Sequence, residues 1–188
     1  MKRIVAWLSV ALLLVVATPA DAAAQSRLGG LLDWVHKLSG PQFIGPALSY
    51  AVGNDAARFR ISGAYRWSFS SEDAIDPDDA TITQLTIHPA GEFRIWESQG
   101  RGFRLEGNAG VALHRFMGDS DGFWHWSLPV YLQSLVPVSD RLDLRIGAGG
   151  HYFFEFGDDD FLPLTVTVPR DGGEFTWAFY AGLDWKLF

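Results

Sequence analysis

The sequence predicts an all-β protein, an antiparallel transmembrane β-barrel of about eight strands preceded by a short helix. Three observations support this prediction. Apolar and polar residues alternate over segments of about a dozen residues. Aromatic residues stand at the ends of the apolar faces, and the opposite faces carry many charged side chains.

Residues 1–24 have the features of a secretory signal peptide. A basic start precedes an apolar run at 4–17, and small residues follow as far as Ala24. The run is shorter than the roughly 20 residues that a membrane-spanning helix requires, and Pro19 follows it. We therefore expect cleavage after Ala24, so that the mature chain begins near Gln25.

The composition excludes several classes of function. The full chain has a formal net charge of −7, and it contains no cysteine. Loss of Lys2, Arg3 and Asp21 with the signal leaves about −8, and such a chain does not favour nucleic acid as a partner. Without cysteine there is no disulfide, no thiolate metal site and no lipid-modified cysteine. We expect no cofactor and no metal.

A short amphipathic helix is predicted over residues 27–38, within an N-terminal segment that spans 25–41. Apolar side chains recur there at helical spacing, and the pair Gly40-Pro41 would end the helix. Such a helix packs against the end of the barrel or lies in the membrane interface. The apolar positions are Leu28, Leu31, Leu32, Val35 and Leu38.

From residue 42 onward the period changes from 3.6 to 2, so 42–188 is predicted to form the barrel. In the clearest segment Phe59 and Ile61 face one way, whereas Arg58 and Arg60 face the other. Strands of soluble proteins usually have about 5 to 6 residues, and these segments reach about 12 to 15, enough to cross a bilayer. The six segments are 57–69, 83–95, 103–116, 124–136, 142–156 and 175–187.

Counting strands leaves the orientation of the barrel open. The segment 42–53 raises the count to seven, but bacterial barrels of one chain have even numbers of strands. The alternating segment 161–168 supplies a candidate eighth strand. Short turns and longer acidic connections alternate along the chain, and short turns normally face the periplasm. An eighth strand at 161–168 would reverse which connections face outward.

The aromatic residues distinguish a membrane barrel from a soluble one. The apolar faces end in residues such as Trp67, Trp124 and Trp177, and aromatic residues cluster at the headgroup level of membrane barrels. A soluble barrel with this pattern would expose an aromatic wall to water and would be prone to aggregate. The membrane barrel is therefore the favoured interpretation.

The opposite faces predict a charged lumen. The interior of an eight-stranded barrel is just wide enough for side chains to fill. Buried charges are tolerated there when they are paired and hydrogen-bonded. We therefore predict a lumen plugged by ion pairs and no pore for solutes. The predicted lumen charge network consists of Arg58, Arg60, Arg66, Glu92, Arg94, Arg104, Glu106, Asp143, Arg145 and Glu155.

On these features, 42–188 resembles the small outer-membrane β-barrel proteins of the OmpA, OmpX and OmpW type, without assignment to one of them. The signal, the alternating strands, the glycines at 147, 149 and 150 and the terminal segment 175–188 carry the resemblance. It implies the outer membrane of a Gram-negative cell, with outer-membrane lipid and lipopolysaccharide around the barrel. Phe188 resembles the terminal aromatic residue that the barrel-assembly machinery reads, although Asp184 and Lys186 stand in phase with it where the family has apolar residues.

A few residues are candidates for chemistry. His88, His114 and His151 fall on the predicted lumen face, with His125 as a further candidate for that face, and nothing in the sequence brings them together. The tripeptide His125-Trp126-Ser127 resembles the His-x-Ser pair of outer-membrane lipid A deacylases, in which histidine takes the proton of the serine. The acidic residues at 158–160 and 171 fit a solvated loop better than a cation site.

The sequence therefore favours a non-enzymatic outer-membrane barrel with a structural or surface-interaction role. One alternative is a lipid A or phospholipid-modifying enzyme that uses His125 and Ser127, and it requires both to face lipid or a cleft. The other alternative is a narrow channel for small solutes, which requires a lumen that is not bridged by the four arginines Arg58, Arg94, Arg104 and Arg145.

Overall fold

A computed structural model describes residues 25–36, 42–69, 82–100, 102–117, 122–153 and 174–187, and these ranges form a closed antiparallel barrel. In them no helix is long and apolar enough to span a bilayer. The β-segments are β1 (Gln25–His36), β2 (Gln42–Gly53), β3 (Ala57–Phe69), β4 (Thr83–Glu97), β5 (Arg104–Gly110), β6 (Ala112–Met117), β7 (Gly122–Ser139), β8 (Leu142–Phe153) and β9 (Glu174–Lys186).

The nine segments build eight barrel strands. β5 and β6 are separated by Val111 alone, and both pair with β4 on one side and with β7 on the other. They are therefore two halves of one strand. The pairs β3–β4 and β1–β9 complete the ring, so that no strand edge is left free in the described ranges. The prediction of an all-β, eight-stranded antiparallel barrel is confirmed.

The prediction of an N-terminal helix over 27–38 is wrong, because Gln25–His36 forms strand β1. β1 pairs with both β2 and β9 over nearly its whole length. The helical spacing arose because both faces of the strand carry apolar residues. Leu28 and Leu32 point outward, whereas Leu31 and Val35 pack inside the barrel. Tertiary pairing along two edges outweighed the local pattern.

β1 also replaces the predicted eighth strand. The segment 161–168 lies outside the described residues, and β8 pairs directly with β9. With β1 as the first strand, both ends of the barrel sequence lie beside the short connections β2–β3, β4–β5 and β7–β8. We call this the turn end. The other end, where the connections at 70–81 and 154–173 begin, is the loop end.

Local chemistry explains two of the short turns. The side-chain oxygen of Asn54 accepts hydrogen bonds from the backbone N–H groups of Ala56 and Ala57, at 2.8 and 2.9 Å, which fixes the β2–β3 turn. In the β4–β5 turn Gly100 and Gly102 have φ values of +89° and +63°. Glycine adopts this region without steric cost, so these two positions allow the chain to reverse.

Apolar side chains cover the outer wall, and aromatic residues form a belt near each end. Leu48, Val130 and Leu132 lie between the belts and are exposed. This arrangement matches the lipid-facing band and interfacial girdles of membrane barrels. The loop-end belt consists of Trp34, Trp67, Trp124, Trp126, Tyr152, Phe175 and Trp177, and the turn-end belt consists of Tyr50, Phe93, Trp96 and Trp185.

Candidate functional site: the barrel lumen

The lumen is filled by charged and polar side chains. Of the ten residues predicted for the charge network, the structure buries Arg58, Arg60, Arg66, Glu92, Arg104, Glu106, Asp143 and Arg145. The placement of Arg94 was wrong. A register shift between Arg94 and Trp96 turns the end of β4, and Arg94 is exposed beside the β4–β5 turn, paired with Glu97. Glu155 lies outside the described residues.

Glu92 is the centre of the ion-pair network. Its carboxylate accepts hydrogen bonds from Arg60 Nε at 2.7 Å, from Arg145 Nη2 at 2.5 Å and from Arg58 Nε at 3.3 Å. The side-chain amides of Asn108 and Gln133 donate to it at 3.3 and 3.0 Å. These donors come from β3, β5, β7 and β8, so one carboxylate ties together strands on several sides of the barrel.

Two aspartates extend the network toward the turn end. Asp143 pairs with Arg27 at 2.5 Å, with Arg104 at 3.0 Å and with Lys186 at 3.2 Å. Asp184 accepts two hydrogen bonds from Arg60, at 2.6 and 3.2 Å, and lies 3.6 Å from Arg145. Buried charges are stable when each has partners of opposite sign, and this network supplies them.

Arg58 and Glu106 complete this part of the lumen. The guanidinium of Arg58 donates to the carboxylate of Glu106 as well as to Glu92. The amide of Gln133 also donates to Glu106, at 2.9 Å. The turn-end half of the lumen is thus bridged by ion pairs and amides from one wall to the other.

Near the middle of the barrel two tyrosines close the lumen. The rings of Tyr131 and Tyr180 meet edge to face at 5.2 Å, and Arg145 lies 5.1 Å above the ring of Tyr180. A cavity of about 30 Å³ beside them is lined by polar residues such as Asp33 and His88 and by the apolar side chains of Leu31, Ala47 and Ala64. This volume is sufficient for about two water molecules and is too small for a solute.

The loop-end half of the lumen holds four buried histidines, His88, His114, His125 and His151. The Ser127 hydroxyl bridges two of them, with its Oγ 2.7 Å from His114 Nε2 and 2.9 Å from His151 Nδ1. The other ring nitrogen of His151 lies 2.6 Å from the Tyr131 hydroxyl. In the ranges that the structure describes, these histidines and the carboxylates form no group of three or more side chains arranged to hold a metal ion.

This geometry does not match what the lipid-modifying alternative requires. His125 and Ser127 are both buried on the lumen side of β7, and Ser127 has no exposed surface. The hydroxyl of Ser127 already bonds His114 and His151, and the other nitrogen of His114 bonds Gln84 and Thr86 rather than a carboxylate. A serine nucleophile needs access to its substrate, and the buried hydroxyl of Ser127 faces neither lipid nor an open cleft.

Ser127→Ala is expected to lower the free energy of unfolding by about 1 to 2 kcal/mol, because two buried histidine nitrogens lose a hydrogen-bond partner. The matched control is Ser134→Ala on the outward face of the same strand, which is expected to change it by less than about 0.5 kcal/mol. Urea titration of the folded band on unheated gels measures both. Equal values for the two variants would contradict the bridging role of Ser127.

Several lumen residues were missed by the sequence analysis. Arg27 and Asp33 were assigned to the helix, yet Arg27 pairs with Asp143, and Asp33 pairs with Arg66. Their even spacing of six residues was a usable signal, since it places both on one face of a strand. Asp184 was noted as a departure from the terminal apolar pattern, and the structure gives it Arg60 as its partner.

Comparison with known proteins identifies the fold. No protein family model matches this sequence, and no curated protein matches it. Neisserial surface protein A has a similar structure, with a TM-score of 0.62 at 14% identity, over 87% of this chain and 97% of that one.

Two further solved structures align with lower scores. Ail, the attachment invasion locus protein of Yersinia pestis, has a TM-score of 0.42 at 19% identity, over 86% of this chain and 97% of that one. The N-terminal β-barrel domain of Pseudomonas aeruginosa OprF has a TM-score of 0.45 at 11% identity, over 87% and 99%. From the likeness to Neisserial surface protein A, the chain has the fold of the small, eight-stranded outer-membrane barrels.

Proposed function

We propose that this protein is an outer-membrane barrel with a closed lumen, which acts as a structural element of the envelope or as a carrier of surface loops. The observation that carries the proposal is the network around Glu92, which bridges the lumen where a channel would have to be open. The fold shared with a neisserial surface protein agrees with such a role.

The outer wall supports a position in a membrane. Between the loop-end and turn-end belts the outward positions are occupied by aliphatic residues such as Leu32, Leu48 and Ile146. An exposed apolar band between aromatic belts is stable in lipid and would aggregate in water. In the orientation that we propose, the short turns face the periplasm and the loop end faces outward.

The narrow-channel alternative meets two obstacles. Of the four arginines whose pairing would block a channel, Arg58, Arg104 and Arg145 form buried ion pairs. Arg94 is exposed at the turn end and pairs with Glu97 instead. The cavity beside Tyr131 and Tyr180 is about 30 Å³, which holds about two water molecules. A conducting pore would need several buried pairs to separate at once.

Conductance measurement tests the closed lumen. The full-length mature protein is expected to add no steady conductance to planar bilayers and to cause no swelling of liposomes in sugar solutions, since ion pairs bridge its lumen. Protein-free membranes are the negative control, and membranes that contain a general porin are the positive control. Stable single-channel steps from the folded protein would overturn the closed lumen and favour the channel.

Location is tested separately. On denaturing gels of the outer-membrane fraction, we expect the band of this protein to change mobility on boiling. We also expect the mature protein to be about 24 residues shorter than the precursor, since the signal peptide is removed. If the protein is instead soluble in the periplasm and its band does not shift, the proposal of a membrane-embedded barrel is overturned.

A further inference from the structure

Arg115 is a charged residue on the outer wall of the barrel. It lies in β6 and points outward with Leu113, while His114 points into the lumen. Its cross-strand neighbours are Leu85 on β4 and Trp124 on β7. The side chain is therefore surrounded by apolar residues of the wall that faces lipid in the proposed function.

The position of Arg115 sets it apart from the other exposed charges. In the part of the chain that the structure describes, every other exposed charged residue lies next to a short turn, at the opposite end of the barrel. These residues are Asp55, Arg94, Glu97, Asp140 and Arg141. Arg115 is thus the one exposed charge of the described loop-end half.

The guanidinium of Arg115 is held at the depth of the loop-end belt. Its central carbon lies 5.4 Å from the centroid of the Trp124 ring, a cation–π contact between cross-strand neighbours. A contact with the face of the ring does not use the N–H groups of the guanidinium as hydrogen-bond donors, so these groups can donate to another acceptor. Within the described ranges no carboxylate or carbonyl accepts from them.

A cation at this depth requires an anionic acceptor. Charged side chains are costly against lipid tails and are tolerated where they reach the headgroup region. The planar fork of arginine matches the geometry of a phosphate and binds it with paired, charge-assisted hydrogen bonds. Aromatic residues beside the fork provide an apolar surface for the glycerol or sugar of the headgroup.

We propose that Arg115 and Trp124 form a binding site for a phosphate group of lipid A in the leaflet at the loop end. This inference rests on the proposed function, because that orientation places the loop end in the outer leaflet. The acyl chains would lie along the wall below, where Leu113 and its cross-strand neighbours Ile87 and Trp126 point outward.

The site is tested by native mass spectrometry of the folded, full-length mature protein in detergent. The probes are diphosphoryl lipid A and the same lipid without its phosphates. The unmodified protein is expected to bind the phosphorylated form about tenfold or more tightly, the size that charge-assisted hydrogen bonds give. Arg115→Gln is expected to remove this preference.

Arg94→Gln is the matched control, because Arg94 is also exposed but lies at the turn end and pairs with Glu97. It is expected to keep the preference for phosphorylated lipid. If Arg115→Gln keeps the preference, or if both variants lose it equally, the site is overturned. If inorganic phosphate at millimolar concentration displaces lipid A, the site binds free phosphate, and the proposal of a lipid site is overturned.

This outcome is separable from that of the proposed function. Binding is measured in detergent on protein whose gel shift shows that it is folded, so it depends neither on cellular location nor on conductance. A folded, non-conducting barrel without phosphate preference would remove this inference alone. A protein without a gel shift would remove the proposed function.

Discussion

Glu92→Gln is expected to lower the free energy of unfolding by about 3 to 5 kcal/mol, the cost of removing one partner from a buried ion-pair network. The substitution keeps the size of the side chain but removes the charge that Arg58, Arg60 and Arg145 share. The carboxylates of Asp184 and Glu106 remain, but they already form ion pairs with Arg60 and Arg58 in the unmodified protein. Three buried guanidinium groups would therefore repel each other with too little negative charge between them.

The matched control for this prediction is Glu97→Gln, in the same strand. Like Glu92, Glu97 forms an ion pair, in this case with Arg94. The pair is exposed at the turn end, with 41% of the Glu97 side chain accessible. Exposed pairs contribute little, so a change below about 1 kcal/mol is expected.

Urea titrations of the two purified variants in the same detergent, followed by the folded band on unheated gels, measure the difference. Similar midpoints for Glu92→Gln and Glu97→Gln would mean that Glu92 does not hold the lumen together. The closed lumen would then lose its main support.

Gly149→Ala is expected to destabilise the barrel by about 3 kcal/mol, at the upper end of the usual cost of overpacking. A Cβ at this position would lie 2.0 Å from the backbone oxygen of Val130 and 2.7 Å from Tyr131 Cα. Backbone atoms cannot rotate away as a side chain can. β8 would therefore have to separate from β7 beside the ring of Tyr131, which closes the middle of the lumen.

Gly30→Ala is the control for this second prediction. Gly30 lies on the outward face of β1, and a Cβ there meets no atom within 4 Å. Alanine in a strand costs less conformational entropy than glycine, so no loss of stability is expected. If both variants unfold at the same urea concentration, the close approach of β7 and β8 does not limit stability.

The strands from residue 42 onward could be predicted because each is long and has two chemically different faces. In β3 the outward Phe59 and Ile61 and the buried Arg58 and Arg60 follow the alternation of the sequence. The period of two is a local property of an extended chain, so a single segment contains the whole signal. Similar reasoning found β2, β4, β7, β8 and β9 within a few residues of their ends.

β1 could not be predicted in this way. Its inward face mixes Arg27 and Asp33 with Leu31 and Val35, and apolar residues on both faces produced a helical spacing. What makes it a strand is pairing with β2 and with β9, which follows about 140 residues later in sequence. The same long-range closure fixed the count of eight and placed both ends of the barrel sequence at the turn end.

The sequence by itself determined the fold class, the polarity of the two barrel surfaces and most of the residues that fill the lumen, because strand alternation and composition are local. Only the tertiary structure decided which charges meet. Glu92 and Arg145 are 53 residues apart, and Arg60 and Asp184 are 124 apart. Contacts across a lumen depend on strand order and register, and these depend on closure of the whole ring.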